Sequence, residues 1–220
     1  VPGTNSNAVA DLTFGLMLAV ARNIVSTNRW VHEGRWQTAI GVDVCGKTLG
    51  LMGFGAIAKN VARRASGFGM KVLAYDPYVK ELPEEFQSYV TLCGENEVIS
   101  GCDFLSLHLP LNDETRNMIS APQLASMKAG AYVINAARGG IVNEKDLYEA
   151  LVSGHIAGAA MDVSEVEPMA EENPLRTLDN VIITPHIGMY SKEAIGAVSL
   201  ICAQNVAACA AGAELKFQVV

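Results

Sequence analysis

The rhythm of apolar and polar residues changes near Lys47. Before it, over residues 7–34, apolar side chains recur at Val9, Leu12, Leu16, Val20 and Ile24, in steps of three or four that put them on one face of a single helix. Asn5 or Ser6 is placed to cap it. After Lys47, short apolar runs alternate with helical stretches, and "TLGLMG", "AIAKNVARRASG" and "KVLAYD" read as strand, helix and parallel strand. The alternation continues through "DFLSLHLP", a helix near "APQLASM", "AYVINAA", a helix near "NEKDLYEALVSG", "GAAMDV" and "NVIITPH". A long alanine-rich helix follows over residues 191–211. The strand runs are almost continuously apolar, as expected where a parallel sheet is covered on both faces. The predicted class is therefore α/β, a doubly wound parallel sheet flanked by helices. Residues 1–46 are expected to form a linking helix and loop, 47–188 the core, and 189–220 a returning helix and tail. The acidic, proline-bearing "EVEPMAEENPL" is expected to be a solvated connection between the last two strands.

Composition narrows the possible partners. With 220 residues, 50% of them hydrophobic, the chain can bury a sizeable core. Its net charge is −7 and Arg63-Arg64 is the only adjacent basic pair, which argues against nucleic acid. The longest apolar run, residues 12–21, is shorter than the roughly 20 residues of a membrane span, so no membrane helix is expected. Five cysteines without a C-x-x-C pair suggest neither a disulfide framework nor a metal site. Buried free thiols in a reducing cytoplasm are the expectation. The start, "VPGTNSNAVA", has no methionine and no secretory signal, so the chain is expected to be a piece of a longer protein or to have lost a segment.

The first chemical feature follows the strand "TLGLM". Gly53-Phe54-Gly55-Ala56-Ile57-Ala58 fits G-x-G-x-x-G/A at the opening of a helix. Gly53 permits the tight turn, Gly55 lets the backbone approach a pyrophosphate, and Ala58 allows the helix to pack close to the strand. Free N–H groups at the helix start would receive the phosphates. Alone, such a turn can equally serve packing. Asp76, however, ends "KVLAYD" 23 positions after Gly53, near the offset at which an acid receives the ribose 2′-hydroxyl of NAD. Pro77 and Tyr78 follow it, without an arginine to accept a 2′-phosphate, so NAD is expected over NADP. The pattern is that of a Rossmann-type dinucleotide fold.

Three polar residues stand after three further strands. Arg138 follows "AYVINAA" and precedes two glycines, Glu167 lies beyond "GAAMDV", and His186 follows "NVIITP". Parallel strands bring their carboxyl ends to one crevice, so these scattered residues can converge there. Each also has an ordinary reading: a turn arginine, a solvated acid within "SEVEP", a strand-end histidine. The set is more informative than any member.

In order and spacing, "GLMGFGAIAKNVARRASGFGMKVLAYDPY", "NAARGG", "DVSEVEP" and "TPHIG" resemble the D-isomer-specific 2-hydroxyacid dehydrogenases. Within that family, "NSNAVADLTFGLMLAVARNI" and "AYDPY" are most similar to D-3-phosphoglycerate dehydrogenases, although hydroxypyruvate and other reductases share much of the pattern. The resemblance implies that Arg138 binds the substrate carboxylate and carbonyl, that Glu167 is the catalytic glutamate and that His186 is the acid–base histidine. It implies NAD contacts at Gly53, Gly55, Ala56, Ile57 and Asp76, and at Leu109, Pro110, Ala136 and Ala137. Arg138, Asp162, His186 and Gly188 complete the implied cofactor set, with Asp162 near the nicotinamide carboxamide. It further implies a 2-hydroxy or 2-oxo acid substrate, a homodimer, and a separate, mostly N-terminal substrate domain absent from this chain.

The chemistry suits those roles. Reduction of a 2-oxo acid develops negative charge on the carbonyl oxygen, and a positioned proton donor is worth about 10²–10⁴-fold in rate. A histidine, with an unperturbed pKa near about 6.5, serves in both directions; a carboxylate on its other nitrogen favours the charged ring. An arginine grips a carboxylate with two parallel N–H bonds. Two positions depart from the family: Ala56 stands where arginine is frequent and Ala58 where glycine is, which puts NAD affinity in question. An NAD-sensing regulatory domain is the alternative from another class, but a sensor needs no proton donor. An adenosylhomocysteinase is disfavoured by "EP" and "TPHIG".

Overall fold

A computed structural model describes residues 3–217. Seven parallel strands form one sheet in the order β3-β2-β1-β4-β5-β6-β7. The strands are β1 (Thr48–Met52), β2 (Lys71–Tyr75), β3 (Val90–Leu92), β4 (Phe104–Leu107), β5 (Ala131–Asn135), β6 (Ile156–Met161) and β7 (Val181–Ile183). The chain runs outward from β1 to β3, then returns to lay β4 on the other side of β1. That reversal opens a crevice at the carboxyl ends of β1 and β4, the usual ligand position in doubly wound sheets.

Helices α1 (Ser6–Ala21) and α3 (Ala56–Gly67) pack together, and the cluster around them takes in Phe14, Met17, Val61, Leu49 and Ile134. Expected as part of a linker, α1 thus helps to build the core. The other cluster includes Val98 and Ile99 from α4 (Glu95–Gly101), Leu124 from α5 (Ala121–Ser126), and Leu147 and Leu151 from α6 (Glu144–Val152). A last helix, α7 (Lys192–Ala210), closes the described chain.

The first helix is not continuous. It stops at Ala21 and resumes as α2 (Ile24–His32), bent by 65°. Asn23 makes the break: it adopts φ 53° and donates a side-chain hydrogen bond to the Ile40 carbonyl, and asparagine tolerates the left-handed region better than most residues. Asn5 sits at the N-cap of α1 without a side-chain cap bond. The alternation also missed β3 and α4, which are only three and seven residues long.

One compositional expectation is corrected. Only Cys102 is a buried thiol, pushed up to about 12 by burial; Cys45, Cys202 and Cys209 are exposed and Cys93 is intermediate. Helix α7 is long and apolar enough to cross a bilayer by length and composition, a feature hidden from a search for unbroken apolar runs because Ser199, Gln204 and Asn205 interrupt it without adding charge. The acidic connection after β6 is mostly exposed, as expected, but Leu175 anchors it in the core within a short 3-10 helix, Pro174–Thr177.

Candidate active site

The glycine turn joins β1 to α3. Gly53 has φ +91°, and a Cβ there would lie 2.7 Å from the carbonyl oxygen of His108. Only glycine suits that position. A Cβ on Gly55 would meet nothing within 4 Å. The N-cap of α3 carries no side-chain cap bond, so open space and helix-start N–H groups coincide where a pyrophosphate would bind. Ala58 is fully buried against the core. Asp76, at the end of β2, accepts hydrogen bonds from the Phe54 N–H at 2.8 Å and from the Tyr78 N–H at 2.9 Å. Each carboxylate oxygen keeps accepting capacity beyond one donor, so the acid can brace the turn and still receive a ribose hydroxyl.

Across the crevice, Ile57, Leu109, Pro110, Ala136 and Ala137 line one cleft of about 360 Å³, together with Arg138, Asp162, His186 and Gly188. These are nine of the positions implied by the sequence. Gly53, Gly55, Ala56 and Asp76 lie on the β1 and β2 side of the same carboxyl edge.

His186 stands three residues beyond β7 with φ +55°, uncommon for a residue with a side chain although tolerated by histidine. The buried Asp162 carboxylate holds the turn in place. It accepts from the Thr184 hydroxyl at 2.6 Å, from the Ile187 N–H at 2.9 Å and from the Gly188 N–H at 2.8 Å, while its main-chain carbonyl accepts the His186 N–H at 2.8 Å. Asp162 is therefore an organiser of the histidine turn as well as a wall of the cleft.

His186 Nδ1 lies 2.8 Å from Glu167 Oε2. The other Glu167 oxygen accepts the Ser164 N–H at 3.2 Å. Burial pushes the Glu167 carboxyl up, but the hydrogen bonds from His186 and Ser164 and the charges of His186 and Arg138 outweigh it, leaving the group below the ordinary carboxylate range. Arg138 is exposed in the cleft and donates to the Ala137 carbonyl at 2.6 Å. A second cavity, about 490 Å³, shares Asp162 and His186 with the first and is bounded by Glu167, Pro168 and Met169.

Several supports were not anticipated from sequence. Asn135, buried at the end of β5, accepts the Ala137 N–H and donates to the Arg138 carbonyl, fixing the arginine loop. Its signal was a polar residue closing an apolar run. A Cβ on Gly139 would fall 1.7 Å from the Ser164 carbonyl oxygen, so the arginine loop and the glutamate loop touch through bare backbone. His108 pairs its Nε2 with Ser106 Oγ at 2.9 Å, while Nδ1 is buried with no partner among the described residues. Burial lowers its pKa to about 4, which keeps the ring neutral near neutral pH.

A parallel sheet with this strand order, a glycine turn at its switch point and a histidine–carboxylate pair beside the cleft define the class: the dinucleotide-binding domain of a dehydrogenase. More specifically, the chain belongs to the D-isomer specific 2-hydroxyacid dehydrogenase family, whose NAD-binding domain model matches residues 14–188. A D-3-phosphoglycerate dehydrogenase of Methanocaldococcus jannaschii is 44% identical over 93% of the chain and 39% of its own length. A hydroxypyruvate reductase of Thermotoga maritima is 46% identical over 88% of the chain and 63% of its own. The crystal structure of a D-lactate dehydrogenase with NAD+ from Lactobacillus jensenii superposes with a TM-score of 0.88 at 31% identity, covering all of this chain and 70% of that one. The chain thus spans less than two thirds of the curated relatives it matches.

Proposed function

We propose that this domain serves an NAD-dependent enzyme that transfers hydride between NAD(H) and a D-2-hydroxy acid or its 2-oxo acid, with 3-phosphoglycerate as the preferred hydroxy acid. The observation that carries the reading is the 2.8 Å pairing of His186 Nδ1 with Glu167 at the cleft that also holds Arg138. Glu167 occupies Nδ1, so Nε2 is the nitrogen available for the substrate. NAD, when bound, supplies or accepts the hydride. In reduction, His186 gives the proton that completes the hydroxyl as hydride reaches the carbonyl carbon; in oxidation it takes that proton back. Arg138 holds the neighbouring carboxylate of the substrate. A pure NAD sensor would have no use for the pair.

The relatives divide between phosphoglycerate dehydrogenases and hydroxypyruvate or glyoxylate reductases, which supports hydroxypyruvate or glyoxylate as the second substrate reading. The test is NADH oxidation by the full-length protein against phosphohydroxypyruvate, hydroxypyruvate, glyoxylate and pyruvate, with NADPH in parallel. Phosphohydroxypyruvate with NADH is expected to give the highest kcat/KM. Failure with every oxo acid, despite NADH binding, would transfer the domain to the sensor class.

A dimer and a reducing cytoplasmic setting belong to the same proposal. Ile24, Val25 and Val31 on α2, followed by Trp36, Ile40 and Val42, expose a run of large apolar side chains that a second copy would cover. Sedimentation is expected to give twice the chain mass, and a concentration-independent monomer would reject the dimer. The exposed thiols of Cys45, Cys202 and Cys209 suit a reducing compartment.

A further inference from the structure

Glu144 opens α6, is only 8% exposed and has no assigned role in the chemistry. Its Oε1 accepts the Glu165 N–H at 2.7 Å, and Glu165 Oε1 accepts the Glu144 N–H at 3.0 Å. Each acid therefore binds the other's backbone. The second Glu144 oxygen accepts the Asn173 side-chain amide at 2.6 Å, so one carboxylate grips the connection after β6 on both sides of Glu167.

Two carboxylates this close would ordinarily repel. Here both sit at the amino end of α6, where unpaired N–H groups and the helix dipole favour negative charge. The bonds to Glu144 also satisfy a nearly buried charge that would otherwise be costly to dehydrate. Around the first grip the loop is tied to itself: Ser164 donates its hydroxyl to the Val166 carbonyl at 2.5 Å and its N–H to Glu167 Oε1. Pinning Glu165 and Asn173 therefore restricts where the Glu167 carboxylate can go. An exposed loop without such anchors would spread that carboxylate over many positions.

We propose that Glu144 is a positioning residue: with Glu165 it forms a reciprocal carboxylate-to-backbone clamp that holds the loop on α6 and aims Glu167 at His186 Nδ1. The inference rests on the proposed pairing role of Glu167, but its test does not depend on turnover. The chain has four histidines, so the ring nitrogen and carbon shifts of His186 can be resolved by NMR in the 220-residue chain, with His186→Asn giving the assignment. Glu167→Gln defines the signature of a ring that has lost its carboxylate.

Glu144→Ala is expected to move the His186 ring most of the way to that signature, raise hydrogen exchange at the Glu165 amide and leave His32 and His108 unmoved. Glu144→Gln, whose amide oxygen can still accept the Glu165 N–H while its NH2 faces the Asn173 amide, keeps one of the two grips and is expected to bring the ring shifts part of the way back to wild type. A cap needed only for stability would not produce that selective change. The clamp is overturned if Glu144→Ala frees the Glu165 amide while His186 keeps its wild-type shifts. Should Glu144→Ala unfold the chain, Glu165→Ala, which removes an exposed side chain and with it the acceptor of the Glu144 N–H, decides instead: the clamp is overturned if the Glu144 amide is freed while His186 keeps its wild-type shifts. If Glu167→Gln itself leaves His186 unmoved, the pairing fails and the clamp with it, an outcome distinct from failure of the clamp alone.

Discussion

Replacing His186 with asparagine in the full-length protein should lower turnover by about 10²–10⁴-fold, the range of a lost acid–base group, while NADH affinity stays close to wild type. Asparagine is a fair probe because it also tolerates the left-handed backbone at this position, φ +55°. The Asp162 bonds to residues 184–188 use the main chain and Thr184, so they survive the substitution. A loss of rate with retained NADH fluorescence titration assigns the defect to proton transfer. Unchanged turnover would remove His186 from the reaction.

The neighbouring carboxylate sets the pH behaviour. Because Glu167 is held below the ordinary carboxylate range, it is ionised throughout the interval in which a histidine changes charge. Reduction draws its proton from the ring that this carboxylate faces. The stability linked to Glu167 has a definite direction in pH. A lowered folded-state pKa gives a contribution present above the unfolded value, about 4.3, and lost as pH falls through the folded one. Both side chains are nearly half exposed, so solvent screening keeps that contribution small.

The parts of this molecule readable from sequence are those encoded within a few residues. The glycine turn carries its meaning in six consecutive positions, and Asp76 adds an offset along one strand–helix–strand unit. The buried strands announced themselves as apolar runs because both faces of a parallel sheet are covered. The break at Asn23 did not, since the spacing from Val20 to Ile24 keeps helical phase across a residue that leaves the helix. Neither did β3, an edge strand with one fully buried residue. At the site, Arg138, Glu167 and His186 were recognisable as a set, whereas Asn135 and Glu144 looked like a strand-end amide and an ordinary first-turn acid. Their partners lie up to 29 residues away, and the chain itself offers no local sign of such a bond.

Gly139→Ala is expected to be among the most damaging single-methyl additions to the site. The new Cβ would lie 1.7 Å from the Ser164 carbonyl oxygen and 2.4 Å from its carbon, and both obstacles are backbone, so no rotamer change relieves them. Overpacking typically costs about 1–3 kcal/mol and occasionally more; a contact this short argues for the upper end, about 3 kcal/mol, or a fall of roughly 6–12 °C in Tm for a domain of this size. The alternative to that loss is displacement of Ser164 and Glu165, which would draw Glu167 from His186 and lower turnover in whatever protein folds. Gly55→Ala supplies the contrast. Its Cβ enters open space, so thermal stability should hold while NADH binding weakens, because that space is where the backbone must approach the pyrophosphate. Calorimetry and NADH titration on the two variants separate the effects: equal Tm values would mean that the two loops can part without strain, and unweakened NADH binding in Gly55→Ala would place the pyrophosphate elsewhere.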